Sequence, residues 1–506
     1  MSTGTGATTF AQAWSRAVAE HDHETFLLFE GPDGHVAEWT YADFDMLVAR
    51  MAKMLTDTGV GEGCAVHLAL TNSPAFVAIW LATIRLGAWI VPSDPMGRTP
   101  ELADHIERTQ PVIGFCSVER ADIYRAAAPA AMPIVEIDES DVSLALLPGT
   151  EFADWASPAL TDRAAVMFTS GTTGRPKGVE ITQANYAFAG KAMAEAAALT
   201  AGDRHIVVLP LFHANAQYYS FASAIWAGAS VALMHTFSAS SFLPQCARHR
   251  ATCASLFAAP IRMILARGSK TEGVSLRNCW FAQNIAADQH DTISDWLGCR
   301  PRQLYGMTET IPAVLTDEAA DPRPDSMGRV TGGCEVEVHD SEGRPVPPGV
   351  VGELVVGGER GITLFAGYLD DAQTTAASFD RGWFRTGDRA STDETGRFYF
   401  NGRRSDVLKV AGENVSTVEV EAVLSAHPDV LEASVIGSHD SVRDEVPVAF
   451  VVAADAARPP TEAELTEWCT ERLAKAKVPR EITLIDELPR TSVGKIRKFL
   501  LKESVS

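Results

Sequence analysis

Short hydrophobic runs alternate with amphipathic segments along the first two thirds of the chain. The segment 74–86 carries apolar residues with the period of an amphipathic helix. Apolar runs on either side of it and further along predict strands over residues 64–70, 87–92, 164–168, 206–209 and 230–234. Strands that alternate with helices are typical of parallel sheets connected by crossover helices. The pattern therefore predicts an α/β fold for this part of the chain.

The pattern changes after about residue 325. Short strands separated by glycine and proline turns are then predicted over 334–339, 352–356 and 396–400, as in a small antiparallel or barrel-like piece. After Gly402 an α+β pattern predicts helices over 418–426 and 462–474, and strands over 430–436 and 446–452. The polar, turn-rich segment 401–406 lies between these two parts, and we interpret it as a domain boundary.

Length and composition narrow the class of protein. The 506 residues predict about three structural units at ~150 residues per domain. The formal net charge of -22 excludes a broad nucleic-acid-binding surface, because such a surface needs a basic face. Residues 1–22 lack the pattern of a signal peptide, and the longest apolar stretch, 76–91, contains Arg85 and is shorter than a membrane span of ~20 residues. None of the eight cysteines has metal-binding or C-x-x-C spacing, which is typical of buried thiols in a reducing compartment. We therefore expect a cytoplasmic protein, and the charge and the apolar pattern predict neither nucleic-acid nor membrane partners.

The segment 167–179 carries the strongest chemical signal in the chain. Its sequence, Met-Phe-Thr-Ser-Gly-Thr-Thr-Gly-Arg-Pro-Lys-Gly-Val, places a loop directly after a predicted strand. Glycines let the backbone close around an anion, hydroxyl and N–H groups converge on it, and a lysine adds a mobile positive charge. The spacing differs from that of a Walker A loop. The segment predicts a phosphate-binding site formed by Thr169, Ser170, Gly171, Thr172, Thr173, Gly174 and Lys177.

This loop resembles the AMP-binding loop of the adenylate-forming superfamily, which contains acyl-CoA synthetases, peptide-synthetase adenylation domains and luciferases. Six further segments resemble motifs of that superfamily in the same order: Leu-Pro-Leu-Phe-His at 209–213, Tyr-Gly-Met-Thr-Glu at 305–309, Gly-Glu-Leu at 352–354, Trp-Phe-Arg-Thr-Gly-Asp at 383–388, Gly-Arg at 402–403 and Pro-Arg-Thr-Ser-Val-Gly-Lys at 489–495. The resemblance implies a large N-terminal domain, 1–402, of two parallel αβ-sandwich subdomains with a small distorted β-barrel at about 325–402. It further implies a hinge at 403–406 and a small, mobile α+β C-terminal domain, 407–506.

The resemblance implies roles in a first half-reaction, in which a carboxylate attacks the α-phosphate of ATP and pyrophosphate leaves. Catalysis of such a step depends on positioning and on neutralising phosphoryl charge. The carboxylate of Glu309 suits Mg²⁺, and Lys495 is a point charge able to bridge acyl and phosphate oxygens. The other implied contacts are Thr308 to a phosphate oxygen, Tyr305 and Gly306 beside adenine, Asp388 and Arg403 to the ribose, and His213 near the acyl group.

For the second half-reaction, the resemblance implies that the C-terminal domain swings about the hinge. Lys495 then leaves the site, and a loop enters in which Gly412 gives space to the pantetheine arm of CoA. The usual hinge aspartate or lysine is replaced by Ser405, followed by Asp406, so either residue can be the pivot. The amino-acid sequences of the segments 403–416 and 439–445 are most similar to those of carnitine/crotonobetaine-type CoA ligases.

By family position, the acyl pocket is expected to be built from the segments 213–219, 280–285 and 310–314. Gln283 and Asn284 stand where many relatives carry a glycine-rich turn, and we expect them to hydrogen-bond a polar substrate group or to cap a helix. Aromatic residues in these segments indicate either a flat, aromatic acid or a plain hydrophobic core; they are Tyr218, Tyr219, Trp280 and Phe281.

Three functions remain open on the sequence alone. The leading hypothesis is an ATP- and Mg²⁺-dependent acid:CoA ligase that activates a small aromatic or polar acid. The second keeps adenylation but changes the acceptor, as in a carrier-protein loader or an ATP-dependent diazotase that activates nitrite for an arylamine. The third is a non-catalytic nucleotide-binding scaffold, which the joint presence of Lys177, Glu309, Asp388 and Lys495 disfavours. Monomers and homodimers both fit the family.

Overall fold

The structure, a computed structural model, describes residues 7–141, 155–169, 176–403, 407–410, 413–440, 444–490 and 496–503. Its α-helices are α1 (Phe10–His21), α2 (Tyr41–Asp57), α3 (Pro74–Arg85), α4 (Thr99–Thr109), α5 (Ala121–Ala127), α6 (Gln183–Ala196), α7 (Ser223–Ala227), α8 (Phe242–Arg248), α9 (Ala258–Arg267), α10 (Ala287–Leu297), α11 (Ala372–Ala377), α12 (Thr417–Ser425), α13 (Glu462–Arg472) and α14 (Lys498–Glu503). A π-helix spans Asn215–Ala222.

The β-strands of the described residues are β1 (Thr25–Glu30), β2 (Val36–Thr40), β3 (Ala65–Ala69), β4 (Trp89–Pro92), β5 (Ile113–Ser117), β6 (Ile134–Ile137), β7 (Arg163–Thr169), β8 (Lys177–Thr182), β9 (Arg204–Val207), β10 (Ser230–Met234), β11 (Cys253–Phe257), β12 (Asn278–Ala282), β13 (Arg302–Tyr305), β14 (Leu315–Thr316), β15 (Arg329–Val330), β16 (Glu335–His339), β17 (Gly352–Gly357), β18 (Gly367–Tyr368), β19 (Phe379–Asp380), β20 (Trp383–Thr392), β21 (Phe398–Arg403), β22 (Val407–Val410), β23 (Glu413–Ser416), β24 (Val430–Asp440), β25 (Asp444–Ala453) and β26 (Glu481–Leu484).

Two large sheets of mostly parallel strands form the first part of the chain. The nine-stranded sheet has the order β15-β14-β13-β12-β11-β9-β10-β1-β2, with antiparallel strands only at its two edges. The seven-stranded sheet has the order β18-β8-β7-β4-β3-β5-β6, with β8 and β18 antiparallel to their neighbours. Parallel strands covered on both faces are expected to be mostly apolar, and every residue of β3, β5 and β10 is buried.

Local signals explain where these elements begin and end. Helix α3 starts at Pro74 because Ser73 accepts a hydrogen bond from the Phe76 amide (3.3 Å) and proline favours the first helical position. It ends before Gly87, whose φ of 70° is left-handed, and β4 follows two residues later. The predicted helix over 74–86 and strand over 87–92 are thereby confirmed within two residues.

The later strands form two smaller sheets. A five-stranded sheet has the order β16-β17-β20-β19, with β21 paired antiparallel to β20. The last sheet has the order β23-β22-β25-β24, with β26 parallel to β25, and its core contains the apolar faces of α12 and α13. The predicted fold class, α/β followed by a small antiparallel piece and an α+β part, is confirmed.

By contact density the described chain separates into two compact units. One contains residues 1–336 and 356–384, and the other contains residues 337–355 and 385–506. Residues 401–403 of the predicted boundary segment belong to β21, and 404–406 lie outside the described residues, so the hinge and its bounds stay predictions. Among the helices of the described ranges, none has the length and apolar character needed to cross a membrane.

Candidate active site

The predicted phosphate-binding loop connects the two strands of a hairpin. Strands β7 and β8 pair antiparallel, and Thr169 is the register partner of Lys177. The hairpin therefore holds the first and last predicted loop residues side by side. Ser170, Gly171, Thr172, Thr173 and Gly174 lie outside the described residues.

Helix α4 holds both ends of this hairpin loop. The ring of Phe168, which precedes Thr169, stacks on His105 with centroids 3.9 Å apart and planes 6° apart. The guanidinium carbon of Arg108 lies 4.7 Å from the centroid of the same phenyl ring. Arg108 also donates a hydrogen bond of 2.7 Å to the carbonyl of Pro176, directly before Lys177. Burial lowers the pKa of His105 to about 4, so this ring is neutral and packs without a charge at neutral pH.

Glu309 lies in a 3₁₀-helix, Thr308–Thr310, that follows β13. Its carboxylate is buried and accepts a hydrogen bond of 3.0 Å from the hydroxyl of Tyr368. The Nζ of Lys177 lies 4.7 Å from the centroid of the Tyr368 ring. Burial, then the neighbouring Glu309, raises the pKa of Tyr368, so the phenol stays protonated and donates. Lys177 and Glu309 therefore both contact the side chain of Tyr368, one at its ring and the other at its hydroxyl.

The Tyr368 side chain is positioned by the backbone on either side of it. Strand β18 pairs with β8, and Tyr368 is the register partner of Val179, two residues beyond Lys177. The Tyr368 amide donates to Thr375 Oγ1 (2.8 Å), and the Phe365 amide donates to the Glu309 carbonyl (3.0 Å). Pairing with β8 connects β18 to the hairpin, and the Phe365 amide, two residues before β18, connects the same segment to the 3₁₀-helix.

The residues predicted to lie beside adenine and the acyl group occupy the carboxyl end of β13 and the start of the π-helix. Tyr305 ends β13, and Gly306 follows it in a crowded position: a Cβ there would lie 2.7 Å from Tyr219 Oη and 2.9 Å from the Pro312 carbonyl. His213 precedes the π-helix, and its carbonyl accepts a bond from the Gln217 amide (3.4 Å). Thr308 is half-buried at the start of the 3₁₀-helix.

The two predicted ribose contacts lie in the unit that contains residues 385–506. Asp388 on β20 is buried, and Arg403 on β21 is its register partner. The Nε of Arg403 donates to Asp388 Oδ1 at 2.7 Å. The structure therefore brings this predicted pair together. Lys495 and Gly412 lie outside the described residues.

The described residues hold no group of three or more His, Cys, Asp or Glu side chains able to bind a metal on their own. Mg²⁺ in nucleotide sites needs only one or two carboxylates, because phosphate oxygens and water complete its coordination. Glu309, buried and oriented through one oxygen by Tyr368, fits such a site.

Comparison with known families decides the class of the protein. The model of the AMP-binding enzyme family matches residues 14–369, and that of the AMP-binding enzyme C-terminal domain matches residues 419–495. The chain belongs to the AMP-binding enzyme family. It is a ligase of the AMP-forming acyl-CoA synthetase type.

Relatives of this AMP-binding enzyme match it along nearly their whole length. It is 34% identical over 514 residues to a crotonobetaine/carnitine--CoA ligase of Salmonella paratyphi C, which covers 98% of this chain and 99% of the relative. The corresponding ligase of Escherichia coli is 34% identical over 508 residues, covering 97% and 98% of the two chains.

Solved structures show the same fold. ATP-bound MatB from Rhodopseudomonas palustris has a TM-score of 0.87 at 26% identity, with 98% of this chain and 99% of that chain covered. An anthranilate CoA ligase in complex with anthranoyl-AMP has a TM-score of 0.88 at 27% identity, covering 98% and 97%. The o-succinylbenzoate CoA synthetase of Bacillus subtilis, in complex with AMP, has a TM-score of 0.85 at 27% identity, covering 97% and 98%.

Tyr368 of this AMP-binding enzyme contacts two predicted site residues, Lys177 and Glu309, but the sequence does not predict it as part of the site. It lies outside the segments quoted for the resemblance, and it is 59 positions from the carboxylate it contacts. The sequence around Tyr368 carries no local signal of this role. The crowding at Gly367 is tertiary, since a Cβ there would approach Arg360 Nη2 to 3.1 Å. That crowding is visible only in the folded chain.

Two non-glycine residues of the expected acyl pocket have left-handed backbone angles. Gln283, directly after β12, has a φ of 73°, and Ile311, directly after the 3₁₀-helix, also has a φ of 73°. Such angles persist in a β-branched residue only where the surroundings enforce them, and they are common at functional sites. Asn284 does not cap helix α10, whose N-cap is Ala286; its side-chain oxygen instead accepts from Gln303 Nε2 at 2.9 Å.

Proposed function

We propose that this AMP-binding enzyme activates a small aromatic or polar carboxylic acid as its acyl-AMP and transfers the acyl group to the thiol of CoA. The contact of Lys177 and Glu309 with the same tyrosine, Tyr368, carries the proposal, because it places the predicted phosphate-binding cation and the predicted Mg²⁺ ligand around one side chain. The full-length similarity to proteins named as CoA ligases supports CoA as the acceptor.

In the first step a carboxylate oxygen of the acid attacks the α-phosphorus of ATP. A new P–O bond forms, the bond to the β-phosphate oxygen breaks, and pyrophosphate leaves. We assign Lys177, Thr169 and Thr308 to the phosphate oxygens and Glu309 to Mg²⁺. Bound Mg²⁺ neutralises charge on the phosphate oxygens.

The ribose hydroxyls are assigned to Asp388, whose carboxylate is held by Arg403. Asp388 is buried and accepts a hydrogen bond from the guanidinium of Arg403, and we assign its carboxylate oxygens as acceptors for the sugar hydroxyls. Lys495 is assigned to adenylation and Gly412 to the pantetheine passage, as the resemblance to the superfamily implies. Tyr305, Gly306 and His213 are assigned to the adenine and acyl end of the site.

In the second step the CoA sulfur attacks the acyl carbon. The C–S bond forms, the bond from the acyl carbon to the phosphate oxygen breaks, AMP leaves, and the thiol proton is lost to solvent. Removing water from an adenylate before the thiol arrives protects the intermediate against hydrolysis.

The test is release of AMP and pyrophosphate from ATP with a panel of aliphatic, aryl and cinnamic acids, each with and without CoA. We expect acid-dependent AMP release that CoA accelerates and that Glu309→Gln abolishes. Glu342→Gln, on an exposed turn, is the matched carboxylate control and should leave the rate unchanged. Adenylation indifferent to CoA would instead direct the search to carrier proteins or to nitrite with an arylamine, and inactivity with every acid would contradict the proposal.

A further inference from the structure

The π-helix that follows His213 is an unusual element at the expected acyl pocket. Each of its residues, Asn215–Ala222, is buried, and it packs against α6 and against strands β9 and β11. Helices with i→i+5 hydrogen bonds are rare and are frequent at functional sites, because the wider turn re-aims side chains. Tyr219 from this helix reaches Gly306, so the element lies beside the Tyr-Gly-Met-Thr-Glu segment.

Two polar side chains of the π-helix are buried without a partner. The hydroxyl of Tyr218 and the Oδ1 of Asn215 have no hydrogen-bond partner among the described residues. Tyr218 is 0% exposed and Asn215 is 6% exposed. Buried polar atoms in folded proteins are nearly always hydrogen-bonded, so each exception requires an explanation such as a ligand.

The sheet face beneath the π-helix carries two more such atoms. Ser255 on β11 and Trp280 on β12 are register partners, so their side chains point to the same face. The alternate residues Leu256 and Phe281 belong to the hydrophobic core on the other face, to which the π-helix does not contribute. Within the described ranges, Ser255 Oγ and Trp280 Nε1 also lack a hydrogen-bond partner.

A neighbouring tyrosine, Tyr186, is buried to the same extent as Tyr218 but has a hydrogen-bond partner. The hydroxyl of Tyr186 on α6 donates to Gln217 Oε1, although its ring lies only 5.5 Å from the Tyr218 ring. The two phenols are equally buried. Burial raises the pKa of the Tyr218 phenol. Tyr219, the next residue along the π-helix, lies against Gly306, so this part of the π-helix borders the segment that carries Glu309.

We propose that Tyr218, Asn215, Ser255 and Trp280 form a polar end of the acyl pocket, which selects a carboxylic acid bearing a hydroxyl or amino group. Tyr218 and Trp280 supply donors and Asn215 supplies an acceptor, and a hydroxyl or amino substituent satisfies both kinds of group. A hydrocarbon substituent satisfies neither and leaves the buried atoms unpaired. The inference rests on the proposed acid activation and specifies its substrate class.

The experiment compares acids of the same carbon skeleton by acid-dependent ATP–pyrophosphate exchange. Suitable pairs are benzoate with hydroxybenzoates and aminobenzoates, and butyrate with hydroxybutyrate. We expect the wild type to favour the substituted acid in kcat/KM, and Tyr218→Phe to reduce that preference by about tenfold or more. The kcat/KM of the unsubstituted acid should not fall, since Tyr218→Phe removes a hydroxyl that this acid leaves unpaired.

Tyr186→Phe is the matched control, because it removes a phenol that already has a protein partner. It should lower the melting temperature without changing the preference, whereas Tyr218→Phe should change the preference without lowering the melting temperature. If either tyrosine variant fails to fold, Ser255→Ala provides the same comparison from the sheet face.

Three outcomes would overturn the inference while the proposed acid activation stands. Two concern substrate preference: a wild type without preference for substituted acids, or an equal effect of Tyr218→Phe on both members of a pair. A melting temperature lowered as much by Tyr218→Phe as by Tyr186→Phe would also overturn it, because the hydroxyl would then have a structural partner. Absence of exchange with every acid would remove the proposed function and this inference together.

Discussion

The hydrogen bond from Tyr368 to Glu309 allows a sharp test of the site. Tyr368→Phe keeps the ring beside Lys177 and removes only the donor. Both groups are less than a tenth exposed, so the full value of a bond to a charged acceptor applies. A bond of that kind contributes about 1.5–3 kcal/mol. If it orients the carboxylate for catalysis, kcat/KM for ATP should fall by roughly 10- to 150-fold.

The assay is acid-dependent ATP–pyrophosphate exchange, with ATP and Mg²⁺ varied separately. Tyr399→Phe is the control, because Tyr399 also donates to a carboxylate, Asp393 Oδ2, at 3.0 Å. Tyr368→Leu removes the ring as well and should cost a further ~0.5–2 kcal/mol through the lost contact with Lys177. A rate for Tyr368→Phe within twofold of the wild type, or an equal loss in Tyr399→Phe, would refute the assigned role of the Tyr368 hydroxyl.

Three further predictions concern the loop, the two half-reactions and pH. Arg108→Ala should raise the KM for ATP by about tenfold, because the charge-assisted hydrogen bond to the Pro176 carbonyl is lost. Arg125→Ala removes an arginine from an exposed ion pair and should leave the KM unchanged. Titration of each variant with ATP measures both effects. Lys495→Ala should abolish adenylation yet retain thioester formation from supplied acyl-AMP, and a bulky residue at Gly412 should do the reverse; equal loss of both half-reactions in both variants would contradict the two-state mechanism. Burial raises the pKa of Glu139 to about 7. Because its folded pKa exceeds the unfolded one, stability should decline by roughly 3 kcal/mol as pH rises from about 4.5 to about 7. Glu139→Gln should remove that decline in denaturant unfolding.

The sequence predicts most of the fold because the strands are apolar runs with clear ends. Helix α3 is one example, since Ser73, Pro74 and Gly87 mark both of its ends within the sequence itself. The strand predicted over 164–168 is another, since the apolar run before the glycine- and hydroxyl-rich loop corresponds to β7, whereas the pattern does not predict β8 or its antiparallel pairing with β7. Such local signals need no knowledge of distant contacts.

The site is predicted less completely because part of it depends on tertiary contacts. Tyr368 acquires its role from a partner 59 residues away, which no periodic pattern reveals. Tyr218 is recognisable from the sequence as an aromatic residue of the pocket segment, but its buried hydroxyl is not. The π-helix has no propensity signal of its own, and the left-handed angle of Ile311 contradicts the preference of a β-branched residue.

The pairing of Thr169 with Lys177 has a consequence for affinity. Strand pairing brings the ends of the intervening segment to about 5 Å, so the entropy of loop closure is lost on folding rather than on nucleotide binding. Doubling the length of that segment would cost only about 0.6 kcal/mol of closure free energy. Insertions there should therefore leave the protein folded and appear almost entirely as weaker nucleotide binding, which makes this hairpin a place where affinity can be tuned separately from stability.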